Sequence, residues 1–202
     1  AATFQIATRL RGDVAGLGAV KTALSNGDSI VSVAISAGAA ITDLLTESKA
    51  KVVQANQTGL DTASRSALDD DFQALRSQIE TIVSTADFNA VNLIDASAST
   101  LDVLSSVDGS VISVSAQSLD TTTLGINTAS LATSSSAANA LSAIETAIDL
   151  AADKLAALGS SATGIEIQSQ FTTSLINVVE EGIGNLVDAD LAEESTQLQA
   201  LQ

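Results

Sequence analysis

The sequence predicts a mainly α protein: an elongated antiparallel bundle of long helices, a coiled-coil-like rod, with a small β-hairpin subregion. Three observations predict it. Apolar residues recur three and four apart over long distances at both ends of the chain, the mark of helices that bury one stripe. No proline interrupts either stretch. Between them the helical period gives way to two short runs rich in Val, Leu and Ile that flank an Asp-Gly pair.

The first helix spans residues 1–56, with its periodic part running from about Ala2 to Asn56. Its stripe is Ile6, Leu10, Val14, Leu17, Leu24, Val31, Ala34, Ile41, Leu45 and Val52. A continuous helix of this extent is roughly 80 Å long at ~1.5 Å per residue. Gly12, Gly16, Gly18, Gly27 and Gly38 weaken it, each by about 1 kcal/mol relative to Ala. Glycine also permits close approach, so neighbouring helices are expected to hold this one together.

A second helix covers residues 61–85. Gln57 to Gly59 separates it from the first, and Asp61 or Thr62 can cap it. Leu68, Phe72, Leu75, Ile79, Ile82 and Val83 form its apolar face. The short connection folds it back antiparallel on the first helix.

Residues 87–134 hold a β-hairpin and an irregular segment. Leu101 to Leu104 and Val111 to Val114 read as strands, and Asp108-Gly109 between them is a turn signal. An irregular stretch with Leu124 to Ile126 follows, and Thr128 to Ser136 reads as a small polar linker.

The last helix spans residues 135–202. Its line is Leu141, Ile144, Ile148, Ala151, Leu155, Leu158, Ala162, Ile165, Ser169, Thr172, Ile176, Val179, Ile183 and Leu186. The spacing alternates three and four without a slip, which indicates coiled-coil-like packing. Gly159 and Gly164 are expected to loosen it locally. The whole of 1–202 is expected to be one rod domain. Its two long helices are antiparallel, so both chain ends emerge at the same end of the rod. The chain opens in mid-pattern and has no helix terminator after Leu201. That abruptness suggests the middle of something longer, with the assembling parts outside it.

Composition narrows the function. Apolar residues make up 46% but aromatics only 2%, so the core is small and aliphatic rather than shaped for a ligand. There is no His or Cys, hence no imidazole base, no thiolate, no His/Cys metal site and no disulfide. No catalytic residue and no cofactor is assigned, and an enzyme is the least expected class. The net charge of −16 repels phosphate backbones and anionic membranes, so no nucleic-acid or membrane partner is expected. No apolar run reads as long enough to span a membrane, and no signal peptide is evident. Lacking proline, the chain has no prolyl isomerisation to slow its refolding.

The acidic clusters are weak candidates. Asp69-Asp70-Asp71 could hold a hard cation such as Ca²⁺, but consecutive helical residues point apart and acids suit the N-terminal side of a helix. Asp188, Asp190, Glu193 and Glu194 fit a solvated face or an intersubunit charge patch better than a metal site. No metal is assigned. The hydroxyls at Thr121 to Thr123 and Ser134 to Ser136 could accept O-linked sugars, with a flexible linker as the plainer reading.

The residues resemble a known family. AATFQIATRLRG at the start is similar to the helix of bacterial flagellins that opens A-x-x-x-x-I-A-x-R-(L/F). Asn26-Gly27-Asp28-Ser29-Ile30 resembles its N-D-G-x-S-x-(A/V) motif with the acidic residue and glycine exchanged. Ala86 to Asp95, ADFNAVNLID, resembles the F-N-G-x-x-L-L loop with Ala90 in place of the glycine. Asn185-Leu186-Val187-Asp188-Ala189-Asp190-Leu191 after the heptad helix resembles the flagellin C-terminal motif. These motifs stand in family order along nearly the whole chain.

The resemblance implies a structural subunit of the flagellar filament, exported from the cell and self-assembling into a helical polymer for motility. It implies an extracellular location, and partners that are other copies, hook-associated and cap proteins and the flagellar export machinery. It also implies that the polymerising terminal segments and the variable outer domain are missing, so the isolated chain is expected to be monomeric. Many flagellins recognised by the animal innate receptor carry arginines late in the first helix. Thr46 and Ser48 stand at those positions here. Hydroxyls cannot replace a bidentate guanidinium, so poor receptor activation is expected. The alternatives are a hook–filament junction protein of the same superfamily and a flagellin-like surface protein that binds polysaccharide. The Asn185 to Leu191 motif favours the filament subunit over the first. The scarcity of aromatic platforms and the negative charge count against the second.

Overall fold

The structure, a computed structural model, describes residues 2–200. The helix ends placed by sequence at Ala1, Leu201 and Gln202, with the missing terminator after Leu201, lie outside the described residues. Helix α1 spans Ala2–Ala55, α2 Thr62–Thr85 and α3 Ser134–Ala200. Two hairpins lie between α2 and α3: β1 (Asp87–Phe88) with β2 (Val91–Asn92), and β3 (Leu101–Leu104) with β4 (Val111–Val114). The mainly α class with long antiparallel helices is therefore what the chain adopts. The first hairpin is not expected from sequence. The chain divides into two compact units, and α1 and α3 contribute to both.

One unit comprises Ser29–Leu101 and Ser113–Thr163. Here α1 and α3 run antiparallel. An added Cβ on Gly38 meets Leu155, Lys49 pairs with Glu145 at 3.0 Å, and Asn56 Nδ2 reaches the Ala137 carbonyl at 2.9 Å. As the α1 number rises, the α3 number falls. The core collects Val31, Ile41 and Leu45 of α1, Phe72 and Ile79 of α2, and Ile144 and Leu158 of α3. Asp61 caps α2, its carboxylate accepting the Ser64 amide at 2.9 Å. Of the apolar face expected on α2, Phe72, Ile79 and Val83 are buried, while Leu68, Leu75 and Ile82 are half-buried.

The other unit comprises the start of the chain through Asp28, Asp102–Ile112, and α3 from Gly164 onward. Val103 of β3 lies over Gly27, where a Cβ would come within 2.6 Å of its methyl, and Val107 lies over Gly16 at 3.1 Å. Gln168 of α3 donates to the Ser105 carbonyl at 2.8 Å. Asp108-Gly109 forms the expected turn: Gly109 takes φ +90°, and Asp108 accepts the Ser110 amide at 2.9 Å. Ala7, Leu17, Val20 and Leu24 bury inward, but Ile6, expected in the stripe, is 51% exposed. Ala7, one residue on, takes the inward direction there instead.

Every position of the heptad line read on α3 is buried or half-buried, Thr172 included. The helix runs through Gly159 and Gly164 without a break. One expectation is corrected. α1 contains a window with mean hydropathy 1.6, long and apolar enough by composition to cross a membrane. The residues responsible are the small aliphatics whose stripe, Ile30, Val31, Ala34 and Ile41, forms core.

Candidate assembly surfaces

The first hairpin explains itself through its turn. Asn89 and Ala90 both have positive φ, 52° and 61°. Two such residues between paired strands make the turn that matches strand twist, with Asp87 opposite Asn92 and Phe88 opposite Val91. Asn92 then anchors the corner: its Nδ2 donates to the Val83 carbonyl at 2.7 Å and its Oδ1 accepts the Ile94 amide at 2.9 Å. The usual Asn-Gly signal is absent because Ala90 fills the second position.

The irregular stretch after the second hairpin and the linker expected at Thr128 to Ser136 are both held down. Gln117 and Leu119 donate amides to the Leu93 and Ile94 carbonyls, both at 2.8 Å. The polar face of α2 supplies the remaining ties. Glu80 accepts the Thr121 amide at 2.8 Å and the Thr121 hydroxyl. Arg76 donates to the carbonyl of Asn127 at 2.7 Å, and Gln73 to that of Ala129 at 3.1 Å. Asp69 accepts the Leu131 amide at 2.5 Å and the Ser130 hydroxyl at 3.1 Å. Thr133 and Ser136 exchange side-chain-to-amide bonds at 3.0 Å, a reciprocal cap on α3. Thr121 is buried, and Ser134 to Ser136 belong to the first turn of α3.

Those ties assign the acidic run. Asp69 binds the Ser130 hydroxyl and the Leu131 amide, while Asp71 pairs with Lys51 at 2.7 Å, and this carboxylate raises the Lys51 pKa. Among the described residues no three acidic side chains converge as a metal set. Asp120 is the buried carboxyl. Burial pushes its pKa up, but the hydroxyls of Ser118 and Thr123 and the amides of Thr123 and Thr122 together hold it below the ordinary value. A carboxylate so held is a structural anion rather than an acid poised near neutrality.

Thr46 and Ser48 lie on opposite sides of α1. Thr46 is exposed, and its hydroxyl donates to the Thr42 carbonyl at 2.9 Å. Ser48 is 1% exposed. Only position 46 of the pair could present a side chain to another protein.

The outer surface of the Gly164-containing unit is asymmetric. Its basic residues, Arg9, Arg11 and Lys21, all sit near the start of α1 and all are exposed. From Gly164 onward α3 has no basic residue and carries Glu166, Glu180, Glu181, Asp188, Asp190, Glu193 and Glu194. Asp190 and Glu194 line an open groove with Phe4, Ala7, Arg11 and Leu191. Large apolar side chains also stand in solvent: Phe4, Ile167, Phe171, Leu175 and Val178. Such exposure suits a protein that works packed against others.

Comparison with known proteins gives one consistent answer. The bacterial flagellin N-terminal helical region matches residues 1–99. The chain is 43% identical over 189 residues to flagellin FljK of Caulobacter vibrioides, covering 93% of this chain and 69% of that protein. Among solved structures, Bacillus cereus flagellin matches with a TM-score of 0.66 at 20% identity, over 73% of this chain and 86% of the other. A putative flagellar hook-associated protein from Vibrio parahaemolyticus matches with a TM-score of 0.72 at 11% identity, over 89% and 95%. At those identities the two structures show the fold alone.

Proposed function

Because the chain belongs to the bacterial flagellin family, as a structural subunit of the flagellar filament, we propose the cellular setting in which its surfaces are used. The observation that carries the reading is the 43% identity sustained over nearly the whole chain to a protein named as a flagellin. The likeness to a hook-associated protein rests on fold at 11% identity and does not favour the junction alternative. The family is one of structural proteins, and we take this member to have no enzymatic activity.

In this reading the subunit leaves the cell through the flagellar export machinery. It joins a filament outside, and it meets hook-associated and cap proteins at the filament's two ends. Support comes from the exposed apolar side chains of α1 and α3, which suit burial among neighbours. Shearing of surface appendages followed by peptide identification tests this. The protein should be recovered in the sheared fraction and should stay in the cytosol when flagellar export is disabled. Recovery only from the cytosol in export-competent cells would refute the setting. The chain of these 202 residues, with a net charge of −16 per copy, should run as a monomer in light scattering.

We further propose weak activation of the animal innate receptor for flagellin. Thr46 offers a hydroxyl already bound to its own helix, and Ser48 is buried. Neither can supply a guanidinium fork. A receptor-reporter cell line should respond far less to this chain than to an arginine-bearing flagellin, and an equal response would end the proposal.

A further inference from the structure

The turn of the second hairpin carries chemistry as well as shape. Cys and Met, the side chains that oxidants attack first, are both absent from the chain, as are Trp, Tyr and His. Covalent change in such a chain falls to water-driven reactions, above all where an acidic or amide side chain precedes glycine. Two pairs have that form, Asn26-Gly27 and Asp108-Gly109. In each, the glycine amide nitrogen can attack the γ-carbon of the residue before it and close a five-membered imide. Glycine favours the closure, because no Cβ hinders the nitrogen and the backbone turns freely. In an unfolded chain the asparagine closes faster, since an uncharged amide is a better electrophile than a carboxylate.

The fold reverses that order. Asn26-Gly27 lies inside α1. Its glycine amide is engaged in the helix's own hydrogen bonding. Gly27 is also buried under Val103, whose methyl would lie 2.6 Å from an added Cβ. Ring closure there needs α1 to open. Asp108 and Gly109 are instead both exposed at the hairpin tip. The Gly109 amide makes a turn bond to the Ser106 carbonyl at 3.2 Å. Gly109 holds φ +90°, with nothing within 4 Å of an added Cβ. Asp108 Oδ1 accepts the Ser110 amide at 2.9 Å, which lays the carboxyl along the Gly109 peptide that would attack it. Nothing in this turn has to leave a core for the ring to close.

We propose that Asp108 is a site of spontaneous covalent modification, isomerising through a succinimide to isoaspartate while Asn26 stays intact. The Gly109 nitrogen bonds to Asp108 Cγ and gives up its proton, and one carboxyl oxygen leaves as water. A second water then opens the imide. Attack at Cγ restores aspartate. Attack at the α-carbonyl breaks the original peptide C–N bond, so the chain now runs through Cβ and Cγ. The formula is unchanged, and the backbone gains a methylene. That methylene enters the turn that seats the hairpin. The Ser105 amide donates to the Ser110 carbonyl at 2.8 Å, Val107 sits over Gly16 at 3.1 Å, and Gln168 holds the Ser105 carbonyl at 2.8 Å. Isomerised chains therefore hold β3 and β4 less firmly.

The test incubates the purified full-length protein in warm neutral buffer for weeks. Isoaspartate is mapped with protein isoaspartyl methyltransferase and by electron-transfer fragmentation, which separates the two isomers of equal mass. It should accumulate at position 108 faster than at any other residue of 1–202, and Asn26 should show no mass gain of deamidation. Asp108→Glu keeps the charge, disfavours the ring and should abolish the signal, whereas Asp108→Asn should raise it severalfold. In urea, which melts α1, Asn26 should become the faster site. The isomerised fraction, isolated by chromatography, should exchange its β3 and β4 amides faster than fresh protein. No isoaspartate at position 108, an early mass gain at Asn26 in the folded chain, or an order that urea leaves unchanged would overturn the proposal. Equal amide exchange would overturn the loosening of the hairpin.

Discussion

Gly27 and Gly12 lie on one helix and answer to different constraints. A methyl at Gly27 would stand within 2.8 Å of both γ-carbons of Val103, a stiff β-branched side chain that cannot turn away. Gly27→Ala should cost about 1–3 kcal/mol by overpacking, more than the roughly 1 kcal/mol of helix propensity it gains. Gly12→Ala should show the gain alone, because nothing lies within reach. Urea denaturation of the two variants reads the difference directly. At Ala90 the strain runs the other way: an alanine holds φ at +61°, which disfavours an L-residue by roughly 1 kcal/mol or more. Ala90→Gly should raise stability by up to about 1 kcal/mol after the entropy of the unfolded chain is counted. Asp120 sets an acid limit. Its pKa is lowered by folding, so its contribution is present above the unfolded value of about 3.9 and is lost as pH falls through the lower folded value. Asp61 and Asp108, also lowered by hydrogen bonds from nearby serines, act in the same direction. The urea midpoint should drop as pH is taken below about 4, and Asp120→Asn should flatten that drop. The turn at Asp108-Gly109 is legible from its residues. The turn at Asn89-Ala90 is not, because alanine carries no turn signal. The seat of Val103 on Gly27 joins residues far apart in sequence and leaves no local trace.

Helix α2 has two working faces, and the sequence displays only one of them. Phe72 and Ile79, both fully buried, follow from the 3.6-residue period. Phe72→Ala should cost about 3–5 kcal/mol, measurable as a shift in thermal or urea midpoint. The line beside it, Asp69, Gln73, Arg76 and Glu80, ties down the backbone between Thr121 and Leu131. Those ties end on amides and carbonyls, which every residue possesses, so composition alone suggests a loose linker. Arg76→Ala removes the one guanidinium nitrogen, Nη1, that donates to both the Asn127 and Ala129 carbonyls. Backbone amides around Ile126 to Leu131 should then exchange hydrogen faster, while the α2 core residues keep their protection. Helix α3 is readable nearly end to end, since each member of its inner heptad line is covered to some degree. The apolar side chains it leaves in solvent are harder to see, because Ile167, Phe171 and Val178 become conspicuous only once the inner face is occupied.

At the scale of the whole molecule, composition governs behaviour more than any site does. With no proline in the chain, refolding from urea should lack the phase of tens of seconds that prolyl isomerisation imposes. A net charge of −16 per copy opposes assembly over long range, and salt near 0.15 M screens it to a length of about 8 Å. Filament growth from the full-length protein should therefore be favoured over growth at about 0.01 M salt, as read by light scattering. The motifs at residues 26–30, 86–95 and 185–191 make the family legible in the residues themselves. The surfaces that join copies depend on exposure, which only the folded chain reveals. The central claim is that this chain is a subunit of the flagellar filament. The most direct measurement is electron microscopy of cells that lack their own flagellins and express the full-length gene product. Long filaments are the predicted result. Bare hooks or short stubs, with the protein exported, would contradict the account.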